Sequence, residues 1–166
     1  GSHEYLVNKG NGGRDIDGRT LFFYLATVNT PAMALEIPGV GSQYAFSSRD
    51  GSGAYLNGSN TYKLNIPANP PAQKFWSFVV YDPQTRSMLQ TGEMPYPSKN
   101  NKRNADMVKN ADGSIDLYFG PQAPAGMEAN WVKTVPGKGW FGIFRLYGPG
   151  QEWFDRTWKL GDIEKV

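Results

Sequence analysis

The sequence predicts a mainly β protein: an antiparallel, jelly-roll-like β-sandwich with an N-terminal helix and a short C-terminal helix. Three observations predict it. Short apolar segments, several of them alternating, recur between turn clusters from Pro38 onward. The 20 glycines and 12 prolines make up about a fifth of the 166 residues, above the usual ~12%. Aromatic residues reach 14% while charged residues stop at 19%. That composition suits a loop-rich domain with a ring-filled core, and it excludes coiled coil, collagen and wholesale disorder.

The elements follow in chain order. Residues 1–14 read as a flexible lead-in that opens with the remnant of a cleaved purification tag, Gly1-Ser2-His3. Residues 15–166 read as a single sandwich domain. Asp15 and Asp17 precede a continuous apolar run and Asn29-Thr30-Pro31 closes it, so a helix is predicted over 16–28. A strand from Tyr44 and Phe46 ends at Asp50-Gly51-Ser52-Gly53, a hairpin-type turn signal. Tyr62, Leu64 and Ile66 alternate cleanly up to Pro67. In 75–82, Trp76, Phe78 and Val80 take the core face, leaving Ser77, Val79 and Tyr81 opposite. Asn110-Ala111-Asp112-Gly113 turns into 114–119, where Ile115, Leu117 and Phe119 face inward and Ser114, Asp116 and Tyr118 outward. In 140–147, Trp140, Gly142, Phe144 and Leu146 form the apolar face, and Ile143, Arg145 and Tyr147 point away. A short helix around 151–156 and an extended piece at 162–165 complete the chain.

Subtraction constrains the chemistry. The chain has no cysteine, and its one histidine is His3. Disulfides, thiolate chemistry, a histidine general base and the typical catalytic zinc site are therefore excluded. Net charge is only +2, and the basic stretch Lys99, Lys102, Arg103 and Lys109 reads as a solvated loop, so no nucleic-acid partner is expected. No apolar run approaches the ~18 residues of a membrane span. Asp15/Asp17, Asp50 and Asn110/Asp112/Asp116 lack the full ligand set of a calcium loop and read as turns, so neither metal nor cofactor is expected. Gly51-Ser52-Gly53 and Gly137-Lys138-Gly139 also read as turns, since neither leads from a strand into a helix as a phosphate cradle must.

Rings concentrate near the C-terminus: Trp131, Trp140, Phe141, Phe144, Tyr147, Trp153, Phe154 and Trp158. Most are expected in the core, with Trp131 as the exposed exception available to stack on a ligand. If the outward faces above belong to one sheet, Arg145, Tyr147, Asp116, Tyr118, Tyr81 and Ser77 share a surface. A guanidinium, a carboxylate and several phenols in a shallow groove suit a carboxylate or a sugar. The same set also fits a structural Arg–Asp pair covered by tyrosines.

The segment Phe75-Trp76-Ser77-Phe78-Val79-Val80-Tyr81-Asp82-Pro83 resembles the signature of the bacterial family called domain of unknown function 1214. So do the stretches 110–121 and 130–141, Arg145-Leu146-Tyr147-Gly148-Pro149, and Trp153-Phe154-Asp155-Arg156-Thr157-Trp158, all in the family's order. The resemblance covers about residues 15–164. It implies a jelly-roll-like sandwich, usually the C-terminal half of proteins that begin with domain of unknown function 1254, and a periplasmic or secreted location. It supplies no catalytic residues. The expected function is a non-catalytic module that binds a small polar or sugar-like ligand, or docks an N-terminal partner domain or a second copy. The alternative is a metal-free lyase or hydrolase with Tyr118 or Tyr147 as base, Arg145 as charge stabiliser and Asp116 as a second acid or base.

Overall fold

The computed structural model describes residues 36–166 together with Ile16, Asp17, Thr20, Phe23 and Tyr24. Among them run β1 (Ser42–Ser47), β2 (Tyr62–Ile66), β3 (Ala72–Tyr81), β4 (Ser98–Asn100), β5 (Ile115–Gly120), β6 (Trp131–Lys133), β7 (Phe141–Pro149), the short helix α1 (Gln151–Phe154) and β8 (Ile163–Lys165). They build two four-stranded sheets. The first has the order β1-β7-β3-β4 and the second β6-β5-β2-β8. The helix expected over 16–28 falls mostly outside the described residues, as does the lead-in 1–14. The five described positions there have helical backbone. No helix among the described residues is long and apolar enough to cross a membrane.

Alternation decides which residues meet between the sheets. Trp76, Phe78 and Val80 of β3 and Phe144 and Leu146 of β7 face inward and are buried, as are Ile115, Leu117 and Phe119 of β5. They join Tyr62, Leu64, Ile66, Val132 and Ile163 in one core. Phe78 meets Phe119 across the gap at 4.8 Å between ring centres. Trp140 presents its ring edge-on to Tyr62 at 5.7 Å. Each such aliphatic or aromatic side chain contributes about 1.5–3 kcal/mol on burial, so the two inner faces hold the sandwich together.

The second sheet departs from the expected all-antiparallel arrangement, because β5 and β6 run parallel. Residues 121–130 carry the chain back along the sheet, ending in a turn of 3-10 helix at Glu128–Asn130, so β6 enters in the direction of β5. Asn130 fixes that return. Its buried amide donates to the carbonyls of Val108 and Asp116 and accepts from the Val108 N–H, at 2.7–2.9 Å. The Asp50 turn forms as expected, with Gly53 at φ 87°. It closes only a single bridge, Arg49 to Tyr55, and β1 pairs with the distant β7 rather than with β2.

Lys99 corrects another expectation. It lies on β4 opposite the inward-facing Phe78 and is buried, not solvated. Burial pulls its ammonium below the ordinary lysine range, partly offset by Asp106. An inward-pointing charge on a short edge strand guards against edge-to-edge pairing with another sheet.

Candidate functional site

The outward residues of the first sheet form an aromatic face around one guanidinium. Arg145 of β7 stands between Tyr44 on β1 and Ser77 on β3, its register partners. Its guanidinium carbon lies 5.7 Å from the ring centre of Tyr44 and 5.5 Å from that of Tyr81. Both distances permit cation–π attraction. One register step away, Phe75 and Tyr147 stack at 4.1 Å with their planes 13° apart. Toward the other end, Tyr81 stacks on Phe141 at 5.2 Å, and Phe46 leans on the same ring.

The charge on this face is one-sided. None of the four strands carries Asp or Glu, and among the described residues Arg145 forms no salt bridge. Lys102 adds a second cation over the Phe75 ring at 5.5 Å. Ser77 is buried beneath the longer side chains. The result is a cation flanked by flat π-surfaces, an arrangement that pairs with a carboxylate while the rings cover the ligand's apolar faces.

The single shared surface expected from the sequence does not form. Arg145, Tyr147, Tyr81 and Ser77 lie on the outer face of the first sheet. Asp116, Tyr118 and Trp131 lie on the outer face of the second, across the core. Alternation placed each residue outward correctly, but β5 belongs to a different sheet from β3 and β7. On its own side Asp116 is already engaged: it accepts from the Asn65 amide at 2.7 Å and has the Lys63 ammonium at 4.0 Å. Trp131, expected in a loop, begins β6, and its indole N–H is donated to the Gly120 carbonyl at 2.9 Å. Tyr118 pairs with it in register. On this second face the Asp116 carboxylate and the Trp131 indole are thus engaged within the sheet.

Four rings of the aromatic face, Tyr44, Phe46, Phe75 and Phe141, lie outside the set expected from the sequence. Phe75 shares the parity of Ser77 and Tyr81 and was legible from alternation alone. Tyr44 becomes a neighbour of Arg145 only through the β1–β7 register, which no local signal reports.

Asp112, Asp50 and Asp82 are tied up in turns. The Ser114 hydroxyl and N–H hold the Asp112 carboxyl below the usual carboxylate range, and those of Ser52 do the same for Asp50. Asp82 is held low by the Gln84 N–H, the Lys138 ammonium and the Thr85 N–H. Among the described residues no three or more His, Cys, Asp or Glu side chains gather in a group suited to a metal ion.

Comparison with known proteins gives a consistent picture. The family model described as "Protein of unknown function (DUF1214)" matches residues 41–151. The VPA0106 protein from Vibrio parahaemolyticus is 24% identical, with a TM-score of 0.67 over 95% of this chain and 36% of its own. An uncharacterised protein from Burkholderia cenocepacia is 19% identical, with a TM-score of 0.47 over 99% of this chain and 46% of its own. The chain thus spans less than half the length of both solved structures. None of the curated proteins compared matches it.

Proposed function

We propose, for a chain that belongs to the family described as "Protein of unknown function (DUF1214)", a non-catalytic module that binds a small acidic, sugar-like ligand on the outer face of its first sheet. The observation that carries this reading is Arg145, set between the rings of Tyr44 and Tyr81 on strands without a single acidic residue. A uronate sugar matches both halves of the site. Its carboxylate pairs with the guanidinium, and the C–H faces of its ring lie against Tyr81 or the Phe75–Tyr147 stack. The jelly-roll connectivity implied by the family resemblance belongs to the same proposal, supported by the two packed four-stranded sheets.

The lyase or hydrolase alternative loses support, because it needs Arg145 and Asp116 at one reacting centre and they stand on opposite faces. A partner domain docked on the aromatic face is the second reading. It is favoured by the exposed ring of Phe46 and by the greater length of the VPA0106 protein, of which this chain covers 36%.

Calorimetric titration with trigalacturonate and with neutral trigalactose tests the proposal. The acidic trimer is expected to bind at least tenfold more tightly than the neutral one, with affinity falling as salt rises. Arg145→Gln should remove that preference without lowering the melting temperature. Equal binding of the two trimers, or no effect of Arg145→Gln, would overturn the reading.

A further inference from the structure

At one end of the sandwich an open groove of about 360 Å³ is lined by Phe46, Tyr55, Leu56, Arg86, Trp140 and Phe141, among others. Its size falls at the lower end of the range for small-molecule sites, roughly 300–1,000 Å³. Its surface is mostly apolar, yet its rim is cationic. Arg86 donates its Nε to the Pro83 carbonyl at 3.1 Å, and among the described residues no carboxylate pairs with its guanidinium. The acid closest in sequence, Asp82, is committed to Gln84, Thr85 and Lys138. A second guanidinium, that of Arg49, lies 3.9 Å from the centre of the Tyr55 ring and is held by the Gly53 carbonyl.

The turn that carries Arg86 is fixed in shape. Arg86 has φ 61°, a left-handed backbone that glycine adopts freely and a long side chain does not. Its N–H closes the turn on the Asp82 carbonyl at 2.9 Å, and the turn sets Arg86 on the groove rim.

We propose that this groove binds a ring-bearing carboxylate, its apolar body against Phe46, Leu56 and Phe141 and its anionic end on Arg86. The groove shares Phe46 and Phe141 with the far end of the aromatic face, but it is centred on Arg86 rather than Arg145 and takes a different ligand class, apolar rather than sugar-like.

Titration with 2-naphthoate is the direct test. One saturable site is expected, with 2-naphthalenemethanol, which lacks the charge, binding at least tenfold more weakly. Arg86→Gly should weaken naphthoate binding at least tenfold while leaving the melting temperature unchanged or higher, since glycine relieves the backbone strain. Phe46→Ser should weaken both naphthalenes alike, and the exposed Lys109→Gln neither. Absence of saturable binding at millimolar naphthoate, or undiminished binding by Arg86→Gly, would overturn the proposal. Loss of naphthoate binding in Arg145→Gln would also overturn it, by showing that the carboxylate sits on the Arg145 face.

Discussion

Phe78 occupies the space in which a side chain at position 142 would stand. A Cβ on Gly142 would overlap the Phe78 ring atoms Cζ and Cε1, so the pairing of Val80 with Gly142 in the β3–β7 ladder depends on glycine there. The ring then continues across the core to Phe119.

Gly142→Ala is therefore expected to destabilise the fold by about 1–3 kcal/mol, the usual cost of overpacking a core. Phe78→Leu in the same chain should recover part of that loss. Urea unfolding of the two single variants and the double variant checks it, and strictly additive losses would show that the two positions are not coupled.

Asn130 is the second sensitive position. Asn130→Ala leaves the Val108 N–H and the carbonyls of Val108 and Asp116 without their buried partner. A loss of about 2–4 kcal/mol is expected, since each buried polar group left unsatisfied costs about 1–3 kcal/mol. The denaturant midpoint should fall with no change in slope.

Asp82 supplies a pH dependence whose sign follows from its bonds. Its folded carboxyl titrates below the ordinary value, so the stability it adds is complete above the unfolded pKa of about 4. That stability is lost as pH falls through the folded value. Asp82→Asn should flatten the acid limb of the melting-temperature profile below about pH 4. An unchanged limb would mean that other carboxylates dominate it.

Lys99 gives the opposite test. Its ammonium is disfavoured by burial, so Lys99→Met should raise the melting temperature at pH 7. The gain should shrink as the pH approaches the unfolded lysine value of about 10.4, where the wild-type lysine loses its charge and with it the penalty. Light scattering should show more association for the variant if the lysine also protects the β4 edge.

Much of the fold was legible because β3, β5 and β7 alternate over six or more residues, which assigns an inner and an outer face to each. Two kinds of information were not legible. The three-residue strands β4 and β6 are too short for periodicity to show, so Lys99 looked like a loop residue and Trp131 like an exposed platform. Alternation also states which way Asp116 and Arg145 point relative to their own strands, never which sheet each strand joins. That choice rests on pairings such as Asn65 with Asp116 and Tyr44 with Arg145, set by packing between segments far apart in the chain. Arg145, Tyr147, Tyr81 and Ser77 therefore share the outer face of the first sheet, and Asp116, Tyr118 and Trp131 that of the second.

The position of β7 has a consequence for synthesis. It is the central partner of both β1 and β3, yet Ser42 meets Tyr147 only after roughly a hundred intervening residues have been made. A ribosome delivering this chain releases β1 and all four aromatic residues of β3 well before the strand that covers them. Their backbone edges and rings stay open during that interval, a window in which nascent β-rich chains associate wrongly. The first sheet therefore closes late and nearly at once, and slow refolding, in the millisecond-to-second range typical of such non-local sandwiches, is built into the order of its strands.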